Sequence, residues 1–269
     1  MGYQFIHIET YAKVSSRSNK KQSAKAVAQE CEREPHACPH VKHPEPYKLL
    51  YGLKPSDVVK QAETQAEKAK DKLGRRLRKD AQILLAGVVS YPTPLAEFDP
   101  NCRNFRIWLE LNHQFLKNKY GSKYKSLVLH TDEHPEGFPH CHFYVLPDLD
   151  NSNHLNIGSI HQGIEARDKL RSYSAKQKLR AYKNAMREYQ DEYQEKVGSL
   201  CGLTRIGPGK RRLTRQEWAL EKSASKRLSS TINKIRRLEA SLNRKEKKLI
   251  ETHIINNNYK RGTYNELSK

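Results

Sequence analysis

Apolar and polar residues alternate from Tyr3 to Tyr11, with Ile6 and Ile8 on one face and Phe5, His7 and Glu9 on the other, which predicts a strand. A basic, serine-rich stretch from Ser15 to Lys21 reads as a loop, and Ala24 to Glu32 as a short helix. Four prolines and three histidines between Pro35 and Pro46 predict irregular structure. Ser56 can cap a long charged helix with Asp57 in its first turn, expected to run toward Arg78. Gln82 to Tyr91 is apolar and closed by Pro92 and Pro94, so it reads as a buried strand. From Phe105 to Tyr120 the apolar residues Ile107, Trp108, Leu111 and Phe115 recur at helical spacing until Gly121. Ser126 to His130 and His140 to Leu146 predict two more strands, and Ile164 to Val197 is largely helical. Gly198 to Gly209 is a glycine-rich break.

Beyond it, Leu228, Ile235, Leu242 and Leu249 recur every seven residues, as one stripe of a coiled coil would. The second seam is poor, since Ile232 is followed by Glu239 and Glu246, so a helix packed on its own domain or left solvated competes with pairing. These patterns divide the chain into a domain over 1–200, a basic helical extension over 201–255 and a polar tail over 256–269 expected to be disordered.

Charge adds a partner to this outline. The 269 residues carry 50 Lys and Arg against 30 Asp and Glu, a net of +20. Residues 205–250 alone hold 15 basic and 4 acidic residues, a net of +11. Such an excess points to a polyanion, nucleic acid first. Five scattered cysteines (Cys31, Cys38, Cys102, Cys141, Cys201) argue against a disulfide scaffold and for a reducing cytoplasm. No apolar run is long enough to cross a bilayer, and Met1 to Tyr11 lacks the pattern of a signal peptide.

The candidate chemistry lies between the last two strands. His140 and His142 are two apart on a strand, so they share a face while Cys141 points into the packing. His130 ends the preceding strand, and an antiparallel hairpin returns it to the pair's side. Three imidazoles on one face can hold a metal ion with positions left open, as a catalytic metal requires. Asp132 and Glu133 are placed to orient imidazole N–H groups or accept a proton. A structural zinc site or a hydrogen-bonded histidine cluster are the alternatives.

His130-x-Asp132-Glu133 followed by Pro139-His140-x-His142 resembles the third motif of Mob/Pre-type plasmid mobilisation relaxases, the MobV group of HUH endonucleases. The resemblance spans roughly Tyr3 to Leu146 and is strongest from Phe115 to Val145, where Leu116, Tyr120 and Gly121 also stand in family order. The loop at Pro135 to Phe138 is longer than the family's. The resemblance implies an α+β fold, an antiparallel five-stranded HUH-type sheet with helices packed on it. It implies manganese or magnesium held by His130, His140 and His142, and nicking of one DNA strand at a plasmid origin of transfer. Glu133 would orient or deprotonate a histidine or tyrosine nucleophile, leaving a covalent 5′-phosphoryl enzyme that rejoins ends without ATP. Consistent with that, Gly207-Pro-Gly209-Lys210 lacks the spacing of a phosphate-binding loop.

Where family members carry the nucleophile, Lys25 to Glu30 offers neither histidine nor tyrosine. His40, in the loop after the first helix, is the candidate, with Tyr47 and Tyr11 next. Cys31, His36, Cys38, His40 and His43 offer a competing structural zinc set, though not at a standard finger spacing. For DNA, Tyr120 and His43 stand near family contact positions. Arg75, Arg76, Arg78 and Lys79 form one basic patch, and Lys210, Arg211, Arg212 and Arg215 another. The expected partners are transfer-origin DNA, a separate conjugative coupling protein and a second copy paired through the C-terminal helix. A replication initiator with the same chemistry, or a non-catalytic DNA-binding protein with a structural metal, are the competing functions.

Overall fold

The structure, a computed structural model, describes residues 2–15, 22–39, 41–71, 73–133, 137–207 and 215–266. Five strands, β1 (Ile6–Ala12), β2 (Lys48–Gly52), β3 (Gln82–Ser90), β4 (Tyr124–His130) and β5 (His140–Val145), form one sheet in the order β1-β3-β5-β4-β2. Every neighbouring pair is antiparallel. β5 is therefore central, flanked by β3 and β4, and its residues are held on both sides.

Two helical layers cover the sheet. On one face α3 (Arg103–Tyr120) and α5 (Ala175–Tyr193) pack Trp108, Leu116, Tyr189 and Tyr193 against Leu85, Leu127, Cys141 and Phe143. Across this layer Tyr193 donates to Asn112 Oδ1 at 2.8 Å, and Asn112 Nδ2 donates to the Trp108 carbonyl at 2.8 Å. On the other face α1 (Ala24–Cys31) and α2 (Pro55–Lys68) bury Val27, Ala28, Val58 and Val59 against Ala86, Val128 and Tyr144. These two helices are short and cover only part of their face. The α+β class and the antiparallel sheet expected from the sequence are thus observed.

Differences from the sequence reading have physical causes. Ser56 lies inside α2 rather than capping it; Lys54 is the N-cap, Pro55 opens the first turn, and Ser56 N–H donates to Glu32 Oε1 at 2.8 Å. α2 stops at Lys68, ten residues short of Arg78, because Ala69 turns extended and Lys70 N–H donates to the Asn153 carbonyl. The helical stretch after Ile164 is two helices, α4 (Gln162–Lys169) and α5, and Ser174 and Gln177 form a capping box that starts the second. Past residue 200 the domain continues, since Leu203 joins the core and the Thr204 carbonyl accepts from Gln4 N–H at 2.8 Å. The last helix, α6 (Arg215–Glu266), runs through the region expected as a disordered tail, with no proline to stop it once started.

Candidate metal centre and nucleic-acid face

Strand alternation sets the centre. Cys141, Phe143 and Val145 of β5 face the α3/α5 core, so His140 and His142 face the α1/α2 side. In the β4–β5 ladder His130 pairs with His140 and Val128 with His142, which brings the third imidazole to the same side. The ring centroids lie 5.2, 5.2 and 5.1 Å apart. The three histidines named from the sequence do meet.

Their environment disfavours charge on His130 and His142. Burial, then the charges of Arg33 and His140, push the His130 pKa down to about 2. Burial and the neighbouring imidazoles hold His142 well below the ordinary histidine value. His140 Nδ1 lies 2.9 Å from the Phe138 carbonyl; a carbonyl only accepts, so Nδ1 carries a proton and Nε2 is the nitrogen turned to the centre's acidic side, 3.6 Å from Glu133 Oε1. His130 Nδ1 is buried without a hydrogen-bond partner. Three imidazoles, two of them held neutral by burial and one of those with a buried nitrogen that makes no hydrogen bond, fit a divalent ion as a donor set. Among the described residues no three donors already stand at coordination distances, so holding an ion requires the rings to turn about their side-chain torsions.

The acidic pair is organised by a residue that sequence reasoning missed. Arg33, two residues past α1, is buried and adopts φ 59°, a left-handed backbone that lets its side chain turn back toward β4. Its Nε and Nη2 donate to Asp132 Oδ2 and Oδ1 at 2.8 and 2.6 Å, and Nη2 also reaches Glu133 Oε1 at 3.1 Å. Burial opposes the guanidinium charge, but the bonds and charge of Asp132, then Glu133, outweigh it and raise the Arg33 pKa. Glu133 Oε1 lies 3.6 Å from His140 Nε2, so one carboxylate bridges arginine and triad. Asp132 Oδ2 also accepts from Glu45 N–H at 3.2 Å. The sole sequence signal for this was Arg33 itself, one charge among 50.

The remaining candidates separate. His40 and Lys210, Arg211 and Arg212 lie outside the described residues. His43 and His36 are exposed; Cys38 is buried and donates to the Glu34 carbonyl at 3.3 Å. Cys31 turns instead toward His130, its Sγ 3.6 Å from Nε2, and burial pushes its thiol up to about 12. The alternative zinc set is therefore not assembled among the described residues. Burial likewise pushes Tyr11 up to about 12, and burial with the charges of Glu32 and Cys31 raises Tyr47. Tyr120 is a core residue, 7% exposed, and its hydroxyl donates to that of Tyr189, which leaves no ring face for a base. Arg75, Arg76, Arg78 and Lys79 are exposed, but Arg75 is paired with Asp71 and Arg78 with Asp80.

No protein-family profile and no curated protein matches the chain. Among solved structures it is similar to the manganese-bound MobM relaxase domain (MOBV, Mob/Pre) with origin-of-transfer DNA of plasmid pMV158. That match has 18% identity and a TM-score of 0.42, and covers 63% of this chain and 84% of that one. A second structure of the same domain, with a 23-nucleotide DNA, gives 16% identity over 62% and 79%, with a TM-score of 0.39. A structure described as the molecular basis of vancomycin resistance transfer in Staphylococcus aureus gives 17% identity over 72% and 94%, with a TM-score of 0.32.

Proposed function

We propose that this chain is a relaxase: a site-specific endonuclease and strand transferase that nicks and rejoins one DNA strand at a plasmid transfer origin, for mobilisation or plasmid recombination. The observation that carries the reading is the meeting of His130, His140 and His142 on one partly open face of an antiparallel sheet, with Glu133 beside them. His130, His140 and His142 would hold manganese or magnesium, a hard cation that, when bound, polarises the non-bridging oxygens of the scissile phosphate. Glu133 orients or deprotonates the nucleophile, and Arg33 fixes where Glu133 stands.

His40 is the proposed nucleophile. In support, Arg33 and Glu45, which precede and follow it in the chain, both bond Asp132, two residues past His130. In-line attack forms the bond from nucleophile to phosphorus and breaks the bond to the 3′ oxygen. The 3′-hydroxyl leaves with a proton, and the 5′-phosphoryl stays on the enzyme at the energy of the broken diester, so religation is the reverse step. His43, Arg75, Arg76, Arg78, Lys79, Lys210, Arg211 and Arg212 are the proposed phosphate contacts, α6 the pairing element and a coupling protein the external partner. No helix among the described residues is long and apolar enough to cross a membrane, and a cytoplasmic setting is part of the same proposal.

Nicking of a supercoiled plasmid bearing the transfer origin, with manganese, tests this against His140→Ala/His142→Ala. Protein-bound relaxed circles with the wild-type chain alone are expected, and mapping the adduct names the nucleophile. Origin binding without nicking by either protein would sink the enzyme and leave a DNA-binding module. Nicking at a replication origin but not a transfer origin would replace the relaxase with an initiator.

A further inference from the structure

The sheet face that carries the triad does not end at β5. Ser90 of β3 pairs with His140 and Val88 with His142, and both are only partly buried, because α1 and α2 stop short of them. One strand further, His7 pairs with Val88, and the Phe5 carbonyl accepts from Ser90 N–H at 3.3 Å. Two rows therefore cross the sheet on one face: Phe5–Ser90–His140–His130 and His7–Val88–His142–Val128. Two strand spacings, about 10 Å, separate the triad from Phe5 and His7.

At the edge this strip meets a cavity of about 960 Å³ between β1 and α5. Tyr3 and Phe5 line it, 49% and 43% exposed, with His7, Arg187, Asp191 and Arg205. Arg205 neutralises Asp191 through Nε–Oδ1 at 2.7 Å and is tied to the Arg187 carbonyl at 3.3 Å; the Arg187 guanidinium donates to Asn184 at 2.8 Å. With Asp191 paired to Arg205, Arg187 leaves the rim one net positive charge beside two aromatic rings. The β1 edge under the groove is already engaged: Gln4 N–H donates to the Thr204 carbonyl, and Gln190 Nε2 donates to the Ile6 carbonyl at 2.7 Å. Added peptide strand has no ladder to join there. Aromatic faces beside arginines are what unpaired bases and their phosphates require.

We propose that single-stranded DNA leaving the triad crosses β3 at Val88 and Ser90 and enters this groove, where Phe5 and Tyr3 stack on bases and Arg187 faces a phosphate. The inference rests on the relaxase reading and adds to it a strand path and three contact residues. The test is fluorescence anisotropy with a labelled oligothymidylate of about 16 nucleotides, without metal, alongside a duplex of the same length. Tyr3→Ala/Phe5→Ala is expected to weaken single-strand binding at least about tenfold while duplex binding and the melting temperature hold. Phe5→Trp is expected to retain binding, and Arg187→Gln to lower the salt slope by about one phosphate. A double variant that binds single strand like wild type, or loses duplex affinity by the same factor, overturns the groove and leaves the relaxase reading intact. A wild-type chain that binds no single strand overturns both.

Discussion

Arg33 and Asp132 lie 99 residues apart in the chain and form a buried two-point ion pair, Nε to Oδ2 at 2.8 Å and Nη2 to Oδ1 at 2.6 Å. The pair ties the end of α1 to the loop after β4, where the triad begins. Removing one partner leaves the other charge buried, so Arg33→Ala is expected to cost about 3–5 kcal/mol of unfolding free energy, read from urea titration. Arg33→Met/Asp132→Leu is expected to recover most of that stability. It is not expected to recover nicking, because Glu133 loses the guanidinium that places it 3.6 Å from His140. Restoration of nicking by the double variant would show that the pair serves folding alone.

The histidine centre predicts a pH dependence in metal-free protein. His130 and His142 titrate below their unfolded value of about 6.5, so under that pH the unfolded chain binds protons that the fold refuses. Their contribution is complete above pH 6.5 and is lost as pH falls toward the folded values, about 2 for His130. His130 should add a slope of about 1.4 kcal/mol per pH unit between pH 6 and 4, and His142 adds to it in the same direction. Urea unfolding at a series of pH values, with His130→Asn as comparison, measures it. Equal slopes in wild type and variant would show that His130 is not held neutral by the fold.

How much of this could be read beforehand depended on where each residue's partners lie. β5 and α3 were visible because their periodicity reports their own burial: Cys141 and Phe143 in, His140 and His142 out, Trp108 and Phe115 on one helical face. β2 was not seen, since Lys48–Gly52 is an edge strand with little burial and no alternation to detect. Arg33 was invisible for another reason, as its role exists only once β4 lies beside α1. Tyr120 misled because a tyrosine before Gly121 has the same local sequence whether its ring turns outward or toward Tyr189.

Gly87 makes the opposite face of β3 a test of how rigidly the triad is supported. A Cβ there would strike the Phe143 ring and come within 2.7 Å of the His7 carbonyl. Gly87→Ala is expected to destabilise the protein by about 1–3 kcal/mol through overpacking, seen as a lower melting temperature. Phe143→Leu in addition should restore only part, because the backbone contact to His7 remains. Full rescue would mean that β1 gives way freely, and that the register joining Phe5 and His7 to the triad rows is soft.

The apolar stripe of α6 gives the last prediction. Leu228, Ile235 and Leu242 are exposed at 54, 49 and 63%, while on another side of the helix Ser229 Oγ donates to the Leu200 carbonyl at 2.7 Å. The helix is thus fixed to its own domain by a position that leaves the seven-residue stripe free. A second copy of α6 would bury that stripe, with Leu238 at its margin also 63% exposed. The repeat at Ile232, Glu239 and Glu246 provides only one apolar residue for the other seam, so pairing should be weak and concentration-dependent. Sedimentation velocity should show a monomer–dimer equilibrium in the micromolar range, shifted to monomer by Ile235→Lys with no loss of melting temperature at low concentration. A wild-type chain that stays monomeric at high micromolar concentration would leave the stripe solvated and remove α6 as the pairing element.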